Sequence, residues 1–313
     1  MAPVSRATRA VRCTSLAAAV STALVSAPPA LVASSRAPSP IHLGVIAEEP
    51  NEPGRMLDVF GELIARLRER LAPANVAVGE LVIARDLDDM SQRIVRGEVD
   101  FVIETVFPTL VLQERSRKLD PALVVVRRGQ REYHSVFFAP RESPIRRLAD
   151  LRGRTLVLQV LRSTSAFALP KAELARAGIA LLPADDPHAG RENVRYVLAL
   201  SEVNQAIWVL HGKGDAGAFH EGNWAALPEK IRAQLRVFHE TRPIVRGLLS
   251  FRSSLAASSR RLVEETLLRL DADEAGRAAL DRAAGVTRFE RLTPADRLEL
   301  QGWAPILRPV RAR

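Results

Sequence analysis

Short apolar runs alternate with longer amphipathic runs over residues 41–103, and this alternation limits the possible folds more than any other feature of the sequence. Apolar side chains recur at helical spacing over residues 56–71, and a second helix is predicted to begin with the acids at Asp86. Strands are predicted at residues 41–46, 76–83 and 101–103. This strand–helix–strand–helix–strand order favours a mostly parallel sheet covered by helices.

A second α/β segment follows the first, at about residues 135–236. Its strands are predicted at residues 134–139, 155–160, 214–219 and 235–239. The tail from residue 240 onward is predicted to be largely helical. We expect one lobe built from residues 40–128 together with 240–313, and a second lobe, residues 132–237, inserted into it. Two crossings of the chain, near residues 127–132 and 239–243, would leave a cleft that closes about a hinge.

The first 33 residues differ from the rest of the chain. Arg6, Arg9 and Arg12 precede an apolar run over residues 16–25, and small residues and prolines follow. This is the layout of a cleaved signal peptide, so residues 1–33 are predicted to direct export. A membrane anchor is the alternative, but the apolar run is short and Pro28 follows it closely.

Charge and cysteine content exclude several classes of function. The net charge is +9, and removing the three arginines of residues 1–33 leaves +6. Arginines alternate with acids, and only two tyrosines are present, which is unlike a nucleic-acid-binding surface. Cys13 is the only cysteine and lies in the predicted signal peptide, so no disulfide or cysteine-bound metal is expected in the exported protein.

Three consecutive hydroxyl residues, Ser163, Thr164 and Ser165, lie between a predicted strand and a predicted helix at residues 170–178. Backbone N–H groups and hydroxyls at a helix N-terminus point toward one place, which the helix dipole makes favourable for an anion. The turn is therefore a candidate wall of an oxyanion-binding cleft. The alternative is an ordinary serine cap on a helix.

The sequence around this turn resembles a known family of receptors. The segment Glu-Ser-Pro-Ile at 142–145 is followed by Leu-Ala-Asp-Leu-Arg-Gly-Arg at 148–154, a strand, the hydroxyl turn, Leu-Pro at 169–170 and Gly178. Looser matches are the turns at 97–100 and 214–217 and the segment 270–276. This pattern is similar to the phosphate/phosphite/phosphonate-binding family of periplasmic solute receptors over roughly residues 40–290.

The resemblance implies a two-lobed α/β fold of the second periplasmic-binding-protein type, with mixed sheets flanked by helices and a ligand cleft between the lobes. It also implies a periplasmic location, delivery of a small oxyanion to the membrane permease of an ATP-driven importer, and binding of that oxyanion by Ser163, Thr164 and Ser165. The chain departs from the family pattern at two places. Thr109 occupies the position of a ligand-contacting tyrosine, and Glu202 that of a histidine.

Acidic residues beside the predicted cleft suggest a more specific ligand. Glu104 and Thr105 follow a predicted parallel strand, where ligands bind in such sheets, and Glu221 follows the strand at 214–219. If Glu104 and Glu202 face the cleft, they would repel a dianion unless the ligand also carries a cation. An aminoalkylphosphonate meets that condition. The alternatives are protonation, pairing with Arg162 or Arg242, or a purely structural role.

Two other functions remain open. A protein with this fold could sense a ligand and signal to a membrane sensor instead of an importer. A serine- or metal-dependent hydrolase is disfavoured, because no catalytic triad can be assigned and the cluster at residues 185–188 lacks metal-ligand spacing. We therefore expect a monomeric binding protein with no catalytic residues, no metal, no cofactor and no nucleic-acid partner.

Overall fold

The computed structural model describes residues 39–47 and 53–307. The predicted signal peptide at residues 1–33 lies outside these ranges, and so does Glu48, which follows the strand predicted at residues 41–46. None of the helices in the described ranges is both long enough and apolar enough to cross a bilayer.

The described residues contain both strands and helices in alternation. The strands are β1 (Leu43–Ile46), β2 (Val82–Ala84), β3 (Phe101–Glu104), β4 (Leu119–Arg127), β5 (Glu132–Tyr133), β6 (Ser135–Pro140), β7 (Thr155–Leu158), β8 (Leu181–Pro183), β9 (Val194–Leu198), β10 (Ala216–His220), β11 (Leu235–Glu240), β12 (Ile244–Val245), β13 (Leu248–Arg252) and β14 (Val286–Arg291). The helices are α1 (Pro53–Leu71), α2 (Leu87–Arg96), α3 (Val106–Ser116), α4 (Leu169–Arg176), α5 (Glu202–Leu210), α6 (Glu221–Ala226), α7 (Glu229–Arg232), α8 (Ala257–Leu267), α9 (Glu274–Arg282) and α10 (Pro294–Leu307).

The first lobe is built on a six-stranded sheet in the order β14-β4-β13-β3-β1-β2. Strand β1 pairs in parallel with β2 and β3, whereas β13 and β14 pair antiparallel with their neighbours. Helix α1 covers one face, and Leu63, Leu67 and Leu71 on that helix are almost fully buried. The parallel part confirms the order of elements predicted for residues 41–103.

The second lobe repeats this arrangement with its own six strands, in the order β11-β6-β10-β7-β9-β8. Strands β7, β8, β9 and β10 are parallel to one another. On the other side of β10, β6 pairs antiparallel with β10, and β11 pairs antiparallel with β6. Phe137, Phe138 and Phe219 fill its interior and are fully buried. Two mixed sheets flanked by helices thus form the predicted two-lobed fold.

The chain crosses between the two sheets at the antiparallel pair β5 and β12, where Tyr133 lies opposite Ile244. Helix α10 at the C-terminal end packs against α3 of the first lobe and α4 of the second. Its Trp303 is buried, and the Arg176 guanidinium of α4 lies 4.1 Å from the centre of the Trp303 ring. One apolar cluster therefore runs from one lobe to the other beneath the crossing strands.

Three sequence-based expectations about elements are wrong or incomplete. The tail beyond residue 240 contains the helices α8, α9 and α10 but also supplies β12, β13 and β14, and β13 lies inside the first sheet, so the expected helical tail is incomplete. The strand predicted over 76–83 is reduced to β2 and a single bridge at Val78, and Arg68 of α1 donates hydrogen bonds to the carbonyls of Val78 and Gly79 in this segment. Helix α3 was not predicted at all, although it forms one side of the cleft.

Candidate functional site

A cavity of about 700 Å³ opens at the carboxyl ends of the parallel strands and is lined by residues of both lobes. Pockets that bind small molecules in proteins commonly measure ~300–1,000 Å³. The lining includes six of the eight residues predicted from the sequence, namely Glu104, Thr105, Ser163, Thr164, Ser165 and Glu202. Strands β3, β7 and β9 end at this cavity, as expected for ligand sites in open α/β sheets.

The hydroxyl turn begins a single π-helical turn, Thr164–Ala168, that runs directly into α4. Ser163 is its N-cap, and the Ser163 hydroxyl accepts a hydrogen bond from the backbone N–H of Ala166 at 3.0 Å. The carbonyl of Ser165 accepts from the buried hydroxyl of Ser135 at 2.7 Å, which fixes the turn to β6. The cap role and the cavity-lining role considered for this turn are therefore both present.

Thr164 differs from its two neighbours because its hydroxyl is already bound by protein groups. Its Oγ1 donates to Thr105 Oγ1 at 2.8 Å and accepts from the backbone N–H of Phe107 at 3.0 Å. The Tyr133 hydroxyl also hydrogen-bonds Thr164. A threonine hydroxyl offers one proton and two lone pairs, and the contacts with Thr105 and Phe107 use the proton and one lone pair. Thr164 ties the second lobe to the start of α3 in the first lobe.

The remaining predicted residues on the cavity wall are acidic or lie beside acids. Glu104 ends β3, and its carboxylate accepts a 3.3 Å hydrogen bond from the backbone N–H of Thr105. Thr105 is the N-cap residue of α3. Glu202 lies in the first turn of α5, whose N-cap is Ser201, so its half-buried carboxylate lines the cavity from the second lobe.

Two of the predicted ligand-binding residues are not among the cavity-lining residues. Thr109 lies inside α3, fully buried, and its hydroxyl donates to the carbonyl of Thr105 at 2.9 Å. Glu221 accepts hydrogen bonds from Gln130 Nε2 at 3.1 Å and from the backbone N–H of His134 at 3.0 Å. Both side chains are bound by neighbouring protein groups, so they support the cavity wall from behind.

Among the described residues that line the cavity are four arginines and two glutamates. Arg162 is the one among them that the sequence suggested as a possible partner of the glutamates; the others are Arg55, Arg127 and Arg246. The second suggested partner, Arg242, is exposed and lies outside the lining. Arg127 precedes β5 and Arg246 directly follows β12, the two strands at which the chain crosses between the lobes. Their place beside the predicted crossings at residues 127–132 and 239–243 is the sequence feature that could have identified them.

Tyr133, Arg246 and His220 form a compact group at the hinge end of the cavity. The Arg246 guanidinium carbon lies 5.2 Å from the centre of the Tyr133 ring, and the His220 ring meets the same tyrosine edge-on at 5.9 Å. Burial raises the pKa of Tyr133 to about 12. Burial, aided by the positive charge of Arg246, lowers the pKa of His220 to about 4. Both side chains are therefore neutral near pH 7.

The described residues contain no group of three or more His, Cys, Asp or Glu side chains arranged to hold a metal ion. The chemistry of the cavity is that of hydroxyls, backbone N–H groups, guanidinium groups and carboxylates. Such a set can bind an anion by charge-assisted hydrogen bonds.

Comparison with known proteins relates residues 46–297 to periplasmic substrate-binding proteins. The family model described as "ABC transporter, phosphonate, periplasmic substrate-binding protein" matches residues 46–297. XAC2383 from Xanthomonas citri, solved bound to ATP, is 30% identical with a TM-score of 0.78, covering 86% of this chain and 97% of that chain. No curated protein sequence matches the chain.

More distant structures share the fold. A binding protein component of an ABC phosphonate transporter, PA3383 from Pseudomonas aeruginosa, is 18% identical with a TM-score of 0.61, covering 85% of this chain and 86% of that chain. PhnD1 from Prochlorococcus marinus, in complex with methylphosphonate, is 17% identical with a TM-score of 0.61, covering 85% and 97%. The chain belongs to the family of periplasmic substrate-binding proteins of ABC phosphonate transporters, which bind solutes and are not enzymes.

Proposed function

We propose that this protein is the monomeric periplasmic receptor of an ABC importer and that it binds a phosphorus oxyanion between its lobes, at the turn formed by Ser163, Thr164 and Ser165. The observation that carries this proposal is the position of the turn. It begins a helix, it lines a cavity shared by both lobes, and guanidinium groups line the same cavity. Helix N-termini and guanidinium groups are the two features that most often bind phosphate-like anions.

Within the turn, the three hydroxyls have different roles. The Ser165 hydroxyl, which belongs to a cavity-lining residue, and the first backbone N–H groups of the π-helical turn would bind the ligand, since a helix does not satisfy its own first N–H donors. Thr164 contributes by tying the lobes together, since its hydroxyl is bound to Thr105 and to the backbone N–H of Phe107. The lobes would then close around a ligand beside the Thr164–Thr105 hydrogen bond, which already joins them.

The two glutamates favour a ligand that carries a cation besides its oxyanion. Glu104 and Glu202 line the cavity from opposite lobes, so an ammonium group held between them would stabilise closure. An aminoalkylphosphonate combines both charges. The size of the cavity also admits larger phosphorus compounds, and the Xanthomonas citri relative has been solved with ATP.

Isothermal titration calorimetry with phosphate, phosphite, methylphosphonate and 2-aminoethylphosphonate tests the proposal. We expect a phosphonate to bind with a Kd in the micromolar range or below, which corresponds to a binding free energy of about −8 kcal/mol or more negative. The amino compound should bind more tightly. Absence of binding by every compound in this panel would refute the oxyanion receptor. Equal affinity for the amino and the plain phosphonate would refute the role of the glutamates while leaving the receptor intact.

A sensor that uses the same cleft would bind the same ligands, so calorimetry does not separate it from an importer receptor. Measuring ligand uptake by cells that lack the protein separates the two functions. Loss of uptake supports the importer, and unchanged uptake supports the sensor.

A further inference from the structure

Exposed apolar side chains are concentrated at the ligand cavity. Among the described residues, six large apolar side chains are exposed. Leu200 lines the cavity itself, and three others are direct sequence neighbours of cavity-lining residues, namely Leu57, Leu161 and Val203. Apolar side chains exposed together, unlike ones scattered singly over a surface, mark a place where something apolar binds.

Leu200 is the most exposed of the six, at 72%, and its backbone is strained. Its φ angle is 65°, in the left-handed region that glycine and asparagine adopt at lower free energy than leucine. The residue connects β9 to Ser201, the N-cap of α5, and either of those two residue types would make that connection more easily. A leucine with so exposed a side chain contributes little to the core, so its strained position indicates a role in the cavity.

Backbone hydrogen bonds hold Leu200 near the hydroxyl turn. The N–H of Leu200 donates to the carbonyl of Gln159 at 3.1 Å, and the N–H of Gln159 donates to the carbonyl of Ala166 in the turn at 3.2 Å. Backbone segments paired by such bonds lie about 5 Å apart. A substituent of several carbon atoms, attached to an oxyanion at Ser165, is long enough to reach the Leu200 side chain.

The first lobe adds apolar surface to the same cavity. Met56, Val59 and Phe60 of α1 line it, and Val59 is only half-buried. A phosphonate with a methyl or aminoethyl substituent is small beside a cavity of about 700 Å³ and would leave much of this surface in contact with water. A longer apolar substituent would cover it, and removing apolar surface from water favours binding.

We propose that Leu200 is a specificity-determining residue of the cavity, and that the ligand carries an apolar substituent of several carbon atoms, which Leu200 contacts. This proposal rests on the proposed function, because the oxyanion held at the turn determines where the substituent lies. Burying one CH2 group raises affinity about fourfold. The length of the substituent should therefore control how tightly a phosphonate binds.

Calorimetry with methylphosphonate, propylphosphonate and hexylphosphonate tests this role. None of these probes carries an ammonium group, so the result does not depend on Glu104 and Glu202. We expect propylphosphonate to bind about tenfold more tightly than methylphosphonate, because it buries two further CH2 groups. Leu200→Asn tolerates the left-handed backbone but presents a polar side chain. It should reduce that tenfold ratio by about fourfold, the equivalent of one CH2 group, while the midpoint of thermal unfolding should not fall, since the backbone strain is relieved.

Leu298→Asn is the matched control, because Leu298 on α10 is 70% exposed and is not among the cavity-lining residues. It should leave the ratio of the two affinities unchanged. Leu200→Gly also relieves the backbone and repeats the test without adding a polar group, so it decides the matter if Leu200→Asn does not fold.

Two results would overturn the proposal. In the first, propylphosphonate and hexylphosphonate bind no more tightly than methylphosphonate. In the second, the Leu200 variants keep the ratio of the parent protein; if they also weaken all three probes equally, Leu200 contacts the opposite lobe and not the ligand. Failure of every probe to bind, 2-aminoethylphosphonate included, would refute the proposed receptor itself.

Discussion

Thr164 of the second lobe donates a 2.8 Å hydrogen bond to Thr105 of the first lobe, and both hydroxyls lie on the wall of the ligand cavity. The same Thr164 oxygen accepts the backbone N–H of Phe107, at the start of α3. The turn that we assign to anion binding is thus also the place where one lobe holds the other. If the anion binds at this turn as proposed, binding and the contact between the lobes share these few atoms.

This contact predicts a measurable coupling between the two threonines. Thr164→Val should lower the free energy of unfolding by about 1–3 kcal/mol, because the buried N–H of Phe107 loses its acceptor. Thr105→Val should cost less, since it removes only one partner. In a double-mutant cycle followed by urea unfolding, we expect an interaction energy of about 1 kcal/mol. Strictly additive effects would mean that the two hydroxyls do not stabilise the lobe contact.

The two serines of the turn should separate affinity from stability. Ser165→Ala removes a cavity-lining hydroxyl and should weaken phosphonate binding about tenfold, with little change in thermal stability. Ser163→Ala removes the N-cap bond to Ala166 and should lower the free energy of unfolding by about 1 kcal/mol. Ser258→Ala, on the exposed side of α8, is the control for both measurements. Unchanged calorimetric affinity in Ser165→Ala would place the anion elsewhere.

His220 should make stability depend on pH. Its pKa is about 4 in the folded protein, against an unperturbed value of 6.5. The unfolded chain therefore takes up a proton first as the pH falls, and folding stability is lost between about pH 6.5 and pH 4, by on the order of 3 kcal/mol. His220→Asn keeps an acceptor for the Gly222 N–H but cannot titrate.

Urea unfolding of both proteins at pH 7 and pH 4.5 measures this effect. The loss of stability on acidification should be smaller in His220→Asn, whereas His211→Gln, an exposed control at the end of α5, should behave like the parent protein. If the parent protein and His220→Asn lose the same stability between these pH values, burial does not depress the pKa of His220 in solution.

The hydroxyl turn could be predicted because its signal is local. An apolar strand, three hydroxyl residues and an amphipathic run are contiguous in the sequence, and the resulting cap at Ser163 depends on a residue only three positions away. The partners of Thr164 could not be predicted this way. Phe107 and Thr105 lie 57 and 59 positions earlier in the chain, and only the packing of the two lobes brings them to the turn.

The hinge end of the cavity escaped prediction for the same physical reason. Tyr133 and Arg246 come together because β5 pairs antiparallel with β12, a register between segments more than a hundred residues apart. Strand β13 was missed because it is short and gains its stability from β3 and β4 on either side. Local patterns therefore predicted the order of elements well in the first half of the chain. The strands of the tail and the positions of the cavity arginines depend on pairing between distant segments, which local patterns do not show.

The two cavity glutamates predict how the receptor distinguishes amino from plain phosphonates. Glu202→Gln and Glu104→Gln should each reduce the preference for 2-aminoethylphosphonate over methylphosphonate by about tenfold, because each removes a charge that would pair with the ammonium group. Glu229→Gln, exposed on α7 in the second lobe, should leave the preference intact. If the glutamates instead only offset the cavity arginines, both variants would bind methylphosphonate more tightly and show no change in the preference. Calorimetry with the two ligands decides between these results, because mutual repulsion and ammonium pairing change the two affinities in different ratios.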